Sequence, residues 1–420
     1  MNQLTKHNAA MRKVLASSDT NSMKNLVDLD SIDLVLRECL SIEEMREAGS
    51  FFTGQALATA TASAFQTPIT FSSVILDPTC GTGNLLIECS RKLGIESTLS
   101  ATLKRWGLVL WGFDIHIHFI EATKLRLIVE ALTRGVKHDC DLEDALGLLP
   151  NIRAQDALTV KLADLKHVTH SIMNPPFTIG SSPKENYWKD GKVNTAGVIL
   201  DKYLRLLPNH CDISAILPEV LRSGSRYQDF REFVSSNMIA TCNIWGRFNS
   251  KTDVDIFILA GRSTKTSQSI SWCKQLESCT QISDYFDVRT GPLVAYRDPE
   301  EGTAYPYFYA KNCPAWESLT NATDYRSYQG KILTPPFIVV KRTSSPSDRF
   351  RASATLINLK EPVAIENHLI VIKPKDRKVN TCKKLLKTLK SPETNEFLNE
   401  RIRLRHLTVG VMKDIPFIKA

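Results

Sequence analysis

Residues 171–180 read SIMNPPFTIG, so an asparagine and two prolines follow a short apolar run. Pro175 and Pro176 have no backbone N–H, and a strand ending at Asn174 cannot extend its ladder through them. The prolines also favour extended geometry in the residues before them. The Asn174 amide and the Pro175 carbonyl therefore become two outward acceptors beside the flat ring of Phe177. Such acceptors suit a planar base with an exocyclic amine, although a rigid loop with a satisfied asparagine is the structural alternative.

A glycine-containing turn precedes this motif in the chain. Residues 77–83 read DPTCGTG, with an acid at a predicted strand end and Gly81 and Gly83 before a predicted helix. Glycines at such a turn let the backbone approach a ligand closely. The dinucleotide fingerprint is absent because position 86 is leucine, and the lysine of a phosphate-binding loop is absent too. A tight strand-to-helix turn without a ligand has the same pattern.

Three acids, Asp77, Asp114 and Asp156, fall at the ends of three successive predicted strands. The carboxyl ends of parallel strands meet at one edge of a sheet, where ligands bind. Asp114 could accept both hydroxyls of a ribose, and Asp156 could accept a hydrogen bond from an adenine amine. Each acid could instead cap the helix that follows it. Together with the missing lysine, the acids predict a pocket for a nucleoside without phosphates.

The elements that must position these residues follow from the hydrophobic pattern. Short β-rich runs alternate with helical patterns from Phe71 to about residue 262, which indicates βαβ units and a parallel sheet. Ahead of them, Ser41 and Glu44 have the spacing of a capping box. Thr53 is predicted to cap a second helix that runs to about Phe65.

Beyond residue 265 the alternation stops, and short β-like pieces, aromatic clusters and polar loops follow. The sequence therefore predicts three parts: a helical lead-in over 1–45, a catalytic domain over 46–265 and a second domain over 266–420. The second domain is predicted to be mixed or mostly β.

Composition limits the class of protein. The 420 residues are 43% hydrophobic and 23% charged, and the net charge of +8 permits a polyanionic partner without requiring one. No apolar run is long enough for a transmembrane helix, so no membrane association is predicted. Ten scattered cysteines without a CxxC pair favour a reduced, cytoplasmic protein. His116 and His118 form an HxH pair without a nearby third ligand, so no metal is predicted.

Five short motifs stand in a fixed order along the chain: FFTG (51–54), DPTCGTG (77–83), GFDI (112–115), QDA (155–157) and NPPF (174–177). This set resembles the amino-methylating DNA methyltransferases, and its order resembles the gamma class of N6-adenine enzymes. In that class the cofactor motifs precede NPP[FY] and the target-recognition domain comes last. Later segments are similar to the C-terminal portions of type II restriction–modification methylases. Gly54 departs from the family, which often has proline there.

The resemblance implies a Rossmann-like, S-adenosylmethionine-dependent methyltransferase domain with a mostly parallel sheet, followed by a mixed α/β or mostly β target-recognition domain. It implies that S-adenosylmethionine binds across the carboxyl edge of the sheet. Asp114 would hold the ribose and Asp156 the adenine of the cofactor. The residues implied for the whole cofactor site are Phe52, Thr53, Asp77, Gly81, Gly83, Asp114, Asp156 and Asn174.

The same resemblance assigns the catalytic motif and the DNA contacts. The implied catalytic residues are Asn174, Pro175, Pro176 and Phe177. Phe177 would stack on the target base with Phe248, for which a core position is the alternative. The residues implied to contact DNA are Arg342, Arg349 and Arg351, for which a solvated surface is the alternative.

The implied reaction is methylation of the exocyclic amine of a flipped adenine in a specific sequence of double-stranded DNA, in the cytoplasm of a bacterium or archaeon. A restriction endonuclease of the same specificity, acting separately, is the partner that the family implies. An N4-cytosine enzyme is an alternative, although those enzymes more often carry serine at the position of Asn174. RNA and protein-glutamine methyltransferases more often carry tyrosine at the position of Phe177. A DNA-binding protein with a degenerate nucleoside fold is the non-enzyme alternative.

Overall fold

The computed structural model describes residues 2–17, 20–30, 53–249, 252–266, 270–273 and 280–417. The chain divides into two compact units, Met1–Trp272 and Cys273–Ala420. The helix predicted from Ser41 and Glu44 lies outside the described residues, as does Phe52. No helix in the described segments is long and apolar enough to cross a membrane.

The first unit is built on a central sheet. Among its described residues, seven strands pair in the order β3-β2-β1-β4-β7-β9-β8, and β5 and β6 form a separate hairpin. Their bounds are β1 Ile75–Asp77, β2 Leu110–Asp114, β3 Ile152–Ala154, β4 His170–Met173, β5 Ile179–Ser181, β6 Lys192–Asn194, β7 Asp212–Pro218, β8 Met238–Asn249 and β9 Thr252–Ser263.

Strands β1, β2, β3, β4 and β7 run parallel, and β9 pairs antiparallel with both β7 and β8. The predicted mixed α/β fold with a largely parallel sheet is therefore confirmed. Strand β3 ends at Ala154 rather than at Asp156, because Asp156 begins a turn in which its carbonyl accepts the N–H of Thr159. Strand β2 begins at Leu110, since the preceding residues Gly107–Val109 belong to a helix.

Helices cover the central sheet and give the first unit its core. Their bounds are Asn2–Ser17, Thr20–Val27, Gln55–Ser63, Asn84–Arg91, Leu99–Val109, Ile117–Thr133, Leu142–Gly147, Leu162–Leu165, Thr195–Leu206, Glu219–Ser223 and Gln228–Asn237, with a 3₁₀ turn at Ser225–Tyr227. The fully buried strand β7 has no alternation of polar and apolar exposure, as expected when helices cover both faces of a parallel sheet.

The helix Gln55–Ser63 begins differently from the prediction. Its N-terminal cap is Gly54, and the carboxylate of Asp30 accepts the N–H of Gln55 at 2.9 Å. The prediction that Thr53 caps this helix was wrong, because an acid from the helical lead-in supplies the acceptor instead. A Cβ atom at position 54 would lie 2.6 Å from Oδ1 of Asp30, which explains the glycine where the resembling family often has proline.

The second unit is mixed α/β, one of the two possibilities predicted for it. Among its described residues, one sheet has the order β10-β17-β14-β15-β12 and a smaller one the order β13-β11-β16. The strands are β10 Phe286–Thr290, β11 Ala304–Phe308, β12 Ser318–Leu319, β13 Tyr325–Ser327, β14 Phe337–Lys341, β15 Ala354–Ile357, β16 Ala364–Ile365 and β17 Leu369–Pro374. The helices are Ile282–Tyr285, Val379–Leu389, Pro392–Arg401 and Val409–Lys413.

Strand β14 shows why the larger sheet of this unit is covered on both faces. Ile338 and Val340 join a core cluster that contains residues of the helix Val379–Leu389. Phe337 and Val339 join another cluster with Phe308 of the smaller sheet. Successive side chains of a strand point to opposite faces, so one apolar run serves both cores.

Candidate active site

A cavity of about 220 Å³ lies at the carboxyl edge of the central sheet of the first unit. Its wall contains seven of the residues implied for the cofactor site and the catalytic motif, and also His116 of the HxH pair; the seven are Thr53, Asp77, Gly81, Asp114, Asp156, Asn174 and Pro176. They come from the ends of four neighbouring parallel strands and from the start of the helix Gln55–Ser63. Strand order β3-β2-β1-β4 brings these ends together.

Asp77 ends β1 and is 1% exposed. Burial, with a smaller contribution from the nearby charge of Asp114, raises the pKa of its carboxyl to about 8. The N–H of Thr79 donates to Oδ1 of Asp77 at 3.0 Å and acts in the opposite direction. A carboxyl group held in this way is stabilised as an anion by a cationic ligand.

The turn after Asp77 takes its shape from glycine geometry. Gly81 and Gly83 have φ values of 52° and 84°, in the left-handed region. A Cβ atom at Gly83 would lie 2.6 Å from Cγ2 of Thr123, so the backbone passes too close for a side chain. The Thr123 hydroxyl donates to the carbonyl of Gly81 at 2.8 Å, which fixes the turn against the helix Ile117–Thr133. Gly83 itself does not line the cavity, but its close approach to Thr123 positions the turn that does.

Asp114 ends β2 and ties two backbone segments to the cavity. Its Oδ2 accepts the N–H of Gly81 at 3.1 Å, and its Oδ1 accepts the N–H of His116 at 2.9 Å. Burial raises the pKa of Asp114, while these two N–H groups lower it. The carboxylate is therefore partly engaged with the turns that surround it.

Asp156 differs from the two buried acids because it is exposed. Its Oδ1 accepts the N–H of Leu158 at 2.7 Å, in a local turn. Leu158 and Ile115 line the cavity although they are 44% and 63% exposed. Apolar side chains in the wall of a cavity that also holds carboxylates suit a flat ring that carries polar substituents.

Asn174 follows β4, and its side-chain amide is oriented by Thr53. Nδ2 of Asn174 donates to the Thr53 hydroxyl at 3.0 Å. This contact joins the FFTG and NPPF motifs, which are 121 positions apart in sequence. With its N–H₂ engaged in this way, the amide is oriented by a residue from another element.

A buried polar chain supports Thr53 in turn. Nδ2 of Asn84 donates to the carbonyl of Thr53 at 2.7 Å, and Nη1 of Arg126 donates to Oδ1 of Asn84 at 2.5 Å. The same Nη1 donates to the carbonyl of Thr82 at 2.7 Å. Arg126 is fully buried, and burial lowers its pKa to about 9. Sequence reasoning missed both Asn84 and Arg126, since nothing in a helical pattern indicates that an arginine lies inside.

The aromatic residues proposed for base stacking lie next to each other. The rings of Phe177 and Phe248 meet edge to face, with 6.0 Å between centroids and an interplanar angle of 89°. Both side chains are mostly buried, at 9% and 7% exposure. The side-chain amide of Asn194 donates to the carbonyl of Phe177 at 3.1 Å, which fixes the backbone after the two prolines. Neither ring lines the cavity, and neither does Pro175.

Two further residues of the cavity wall had no sequence signal. Thr195 and Ile199 come from the helix that follows the β5–β6 hairpin. The Thr195 hydroxyl hydrogen-bonds the Thr178 hydroxyl at 3.0 Å, next to the NPPF motif. The hairpin returns the chain to the sheet edge, so the position of these residues depends on tertiary structure alone.

The cavity has a consistent electrostatic character. Three of its lining residues are Asp, and within the described part of the chain no Lys or Arg lines it. A phosphate group would meet three carboxylates there and no lysine or arginine among the described lining residues. The residues therefore fit a nucleoside that carries a positive charge rather than a nucleotide.

The three arginines predicted to contact DNA have different environments in the second unit. Arg349 is exposed, Arg342 is half-buried and Arg351 is fully buried. The guanidinium of Arg351 donates to main-chain carbonyls of the segment that ends the helix Pro392–Arg401, including that of Leu404 at 2.7 Å. The prediction that Arg351 contacts DNA was wrong, because its donors satisfy backbone carbonyls inside the unit.

Residues 34–202 match the family model described as N-6 DNA Methylase, which is less than half of the chain. A comparison with the curated proteins gives no match. Among solved structures, the type IIL restriction–modification enzyme MmeI in complex with DNA has a TM-score of 0.50 and 10% identity, over 91% of this chain and 69% of that one. At this identity the likeness concerns the fold alone.

Two further solved structures have lower TM-scores. The type IIG restriction endonuclease BpuSI gives a TM-score of 0.47 and 13% identity, over 92% of this chain and 60% of that one. The M protein of the type I restriction enzyme EcoKI gives 0.37 and 15%, over 56% of this chain and 47% of that one. The chain thus spans less than two thirds of each of these two proteins.

Proposed function

We propose that this protein is a site-specific DNA adenine N6-methyltransferase of the gamma class that uses S-adenosylmethionine and serves as the modification enzyme of a restriction–modification system. The observation that carries the proposal is Asn174, whose oriented amide lines a cavity together with Asp77, Asp114 and Asp156. The match of residues 34–202 to the N-6 DNA methylase family supports the same reaction.

The cavity fits S-adenosylmethionine better than a phosphate-bearing cofactor. When bound, this cofactor supplies a methyl group that its sulfonium already activates. Asp77, whose pKa burial raises to about 8, would face the cationic methionine part and become ionised there. Asp114 would accept the ribose hydroxyls, and Asp156, beside Leu158 and Ile115, would accept the adenine amine.

The Asn174 amide oxygen and the Pro175 carbonyl oxygen would accept the two hydrogens of the target amine. The lone pair of an adenine amine is delocalised into the ring, which makes the nitrogen a poor nucleophile. Two acceptors outside the ring plane favour a pyramidal nitrogen and free this lone pair. Orientation of the amine toward the activated methyl can contribute roughly 7–11 kcal/mol, so no strong base is required. The amine can release its proton after the new N–C bond forms.

The target base must leave the duplex, because its amine cannot be reached inside a base pair. Flipping costs a few kcal/mol, which stacking on an aromatic ring helps to offset. Phe177 would supply this ring, and Phe248 packs edge to face against it. Since Phe177 is only 9% exposed here, we expect its side chain to move when the base enters.

The second unit would read the DNA sequence. The exposed Arg349 remains a candidate contact, and Arg342 is half-buried. A restriction endonuclease of the same specificity would be a separate protein partner.

The proposal is tested by incubating the purified chain with unmethylated bacterial DNA and S-adenosylmethionine labelled in its methyl group, then digesting the DNA to nucleosides. We expect the label in N6-methyldeoxyadenosine. Label in N4-methylcytosine would keep the chemistry and overturn the target. Label absent from DNA but present on RNA or on a protein glutamine would overturn the substrate class.

A further inference from the structure

The net charge of the chain belongs entirely to the second unit. Residues 273–420 contain 24 Lys and Arg against 16 Asp and Glu, a difference of +8. The remaining residues 1–272 contain 29 of each kind, so the first unit is neutral. An excess of this size on one unit indicates a polyanionic partner for that unit.

One short segment of the second unit carries most of this charge. Residues 373–390 contain eight Lys and Arg and a single acid, Asp376, which leaves +7. The segment comprises the end of β17, a turn and the helix Val379–Leu389. The carboxylate of Asp376 accepts the N–H of Lys378 at 3.0 Å and the hydroxyl of Thr381 at 2.8 Å. It is thus bound to the start of the helix.

The helix Val379–Leu389 is amphipathic, and its outer face is basic. Cys382, Leu385 and Leu389 are buried in the core of the unit. Lys383 and Lys387 are exposed one turn apart, and Lys390 follows at the C-terminal cap. Among the described residues, these three lysines form no ion pair. Like charges at this spacing repel each other, and the helix Val379–Leu389 itself contains no Asp or Glu to offset the repulsion.

The basic face continues into a pair of aromatic residues. Nζ of Lys390 lies 5.7 Å from the ring centroid of Trp316, whose ring meets that of Phe350 edge to face at 5.3 Å. The guanidinium of Arg349 lies 5.2 Å from the centroid of the Phe350 ring. We call these six residues the lysine–tryptophan stripe: Lys383, Lys387, Lys390, Trp316, Phe350 and Arg349. All six are exposed or half-buried. The acids adjoining the stripe in sequence are Glu317 and Asp348, and the latter accepts the N–H of Ser345 at 2.7 Å.

We propose that the lysine–tryptophan stripe binds the phosphate backbone of duplex DNA and reads no bases, a proposal that rests on the proposed function. Lys383 and Lys390 are seven residues apart, or roughly 10 Å along a helix. The phosphates of one strand recur about every 3.4 Å along the duplex axis, so this length covers about three of them. Lysine binds phosphate as a point charge and carries no bidentate specificity.

Other anionic partners fit the stripe less well. A membrane surface requires large exposed apolar side chains beside the charge, and the helix Val379–Leu389, described in full, exposes none. A rigid row of equal charges matches a regular polyanion better than it matches an acidic loop of irregular spacing. Phosphate contacts of this kind hold the protein in register on the duplex while other residues specify the sequence.

The test is the salt dependence of DNA binding by the full chain. The variant K383Q/K387Q/K390Q removes three charges, and its Kd is measured between about 50 and 200 mM salt for DNA that the enzyme methylates and for an unrelated duplex. Each lost phosphate contact lowers the slope of log K against log salt by about 0.9, so we expect a loss of up to about 2.7 for both duplexes. The DNA sequence that the variant methylates and its single-turnover rate of methyl transfer at saturating DNA should equal those of the wild type.

Two matched variants make the result specific. K311Q/K331Q/K360Q removes three exposed lysines of the same unit outside the stripe, and should leave the slope unchanged. K383R/K387R/K390R keeps the charge and should retain the wild-type slope. Thermal unfolding of each variant shows whether it is folded.

Three outcomes would overturn the proposal. An unchanged slope in folded K383Q/K387Q/K390Q would show that the stripe does not touch phosphate. If the variant lost affinity only for the DNA that the enzyme methylates and not for the unrelated duplex, the stripe would read bases. If the wild-type chain transfers no methyl group to DNA and binds none, the proposed function fails as well.

Discussion

A single hydrogen bond of 3.0 Å from Asn174 to the Thr53 hydroxyl orients the amide that would accept the target amine. We predict that Thr53→Val lowers the single-turnover rate of methyl transfer by about fivefold, the effect of losing about 1 kcal/mol of hydrogen bonding. The amide would then rotate without a fixed acceptor for its N–H₂.

Thr53→Ser is the matched control, because it keeps the hydroxyl and removes only a methyl group. Since Thr53 also lines the cavity, cofactor affinity is measured in parallel. If Thr53→Ser and Thr53→Val lower the rate equally, orientation by the hydroxyl is not the cause.

Asp77 links the protonation of the site to stability. Burial raises the pKa of this carboxyl from 3.8 to about 8, so between these values the folded chain holds a proton that the unfolded chain has released. The stabilising effect of that proton is complete below about pH 4 and is lost as the pH rises toward about 8. We therefore predict that the ligand-free chain becomes less stable from about pH 5 to about pH 8, and less steeply so in Asp77→Asn.

Thermal unfolding of the ligand-free wild type and of Asp77→Asn across this pH range measures the effect. Burial also raises the pKa of Asp114, which contributes in the same direction, so the variant retains part of the slope. Parallel curves for the two proteins would mean that Asp77 is ionised in the folded chain at neutral pH.

Among the structural elements, the turn between β1 and the helix Asn84–Arg91 allows a test of shape. Gly83 has a φ of 84°, and a Cβ atom there would lie 2.6 Å from Thr123. We predict that Gly83→Ala lowers the free energy of unfolding by at least about 1 kcal/mol, through strain and the clash together. Urea unfolding is the measurement.

Gly147→Ala is a suitable control for that variant. Gly147 ends the helix Leu142–Gly147 and has no positive φ, and a Cβ atom added there would meet no other atom within 4 Å. This substitution should be neutral or stabilise slightly. A Gly83→Ala variant as stable as Gly147→Ala would contradict the close approach of the turn to Thr123.

The segment between β14 and β15 contains two arginines with opposite roles. Arg351 donates to the carbonyls of Leu398 and Leu404 inside the second unit, whereas Arg349 is exposed. We predict that Arg351→Met destabilises the unit by roughly 1.5–3 kcal/mol or more, because charged hydrogen bonds to buried carbonyls are lost. Arg349→Gln should change stability by no more than about 0.5 kcal/mol and weaken DNA binding.

Urea unfolding and DNA affinity of both variants separate these effects. A stable Arg351→Met protein with reduced DNA affinity would restore Arg351 as a DNA contact.

The sequence predicted those structural elements whose ends are determined by residues nearby in the chain. The β-rich runs before Asp77 and Asp114 and the two prolines after Asn174 mark strand ends in the sequence itself. The cap of the helix Gln55–Ser63 could not be predicted, because Asp30 reaches it from 25 positions away. The burial of Arg351 could not be predicted either, since a serine-rich stretch with arginines has the same composition on a surface as inside a unit.

In the whole molecule, the excess positive charge and the candidate active site belong to different units. The neutral first unit holds the carboxylate-lined cavity, and the second unit carries the full excess of +8. The total charge alone does not reveal this division, because it depends on where the chain divides. Thr195 and Ile199 illustrate the same limit, since the return of the chain after the β5–β6 hairpin brings them to the cavity.

In the proposed function, the cavity at the sheet edge delivers a methyl group to an exocyclic amine held by Asn174. The most direct measurement compares wild type with Asn174→Ala for cofactor binding and for label transferred from S-adenosylmethionine to adenine in DNA. We expect cofactor binding by both proteins and labelled N6-methyladenine from the wild type alone. Equal labelling by both, or no labelling by a wild type that binds the cofactor and DNA, would contradict the proposed function.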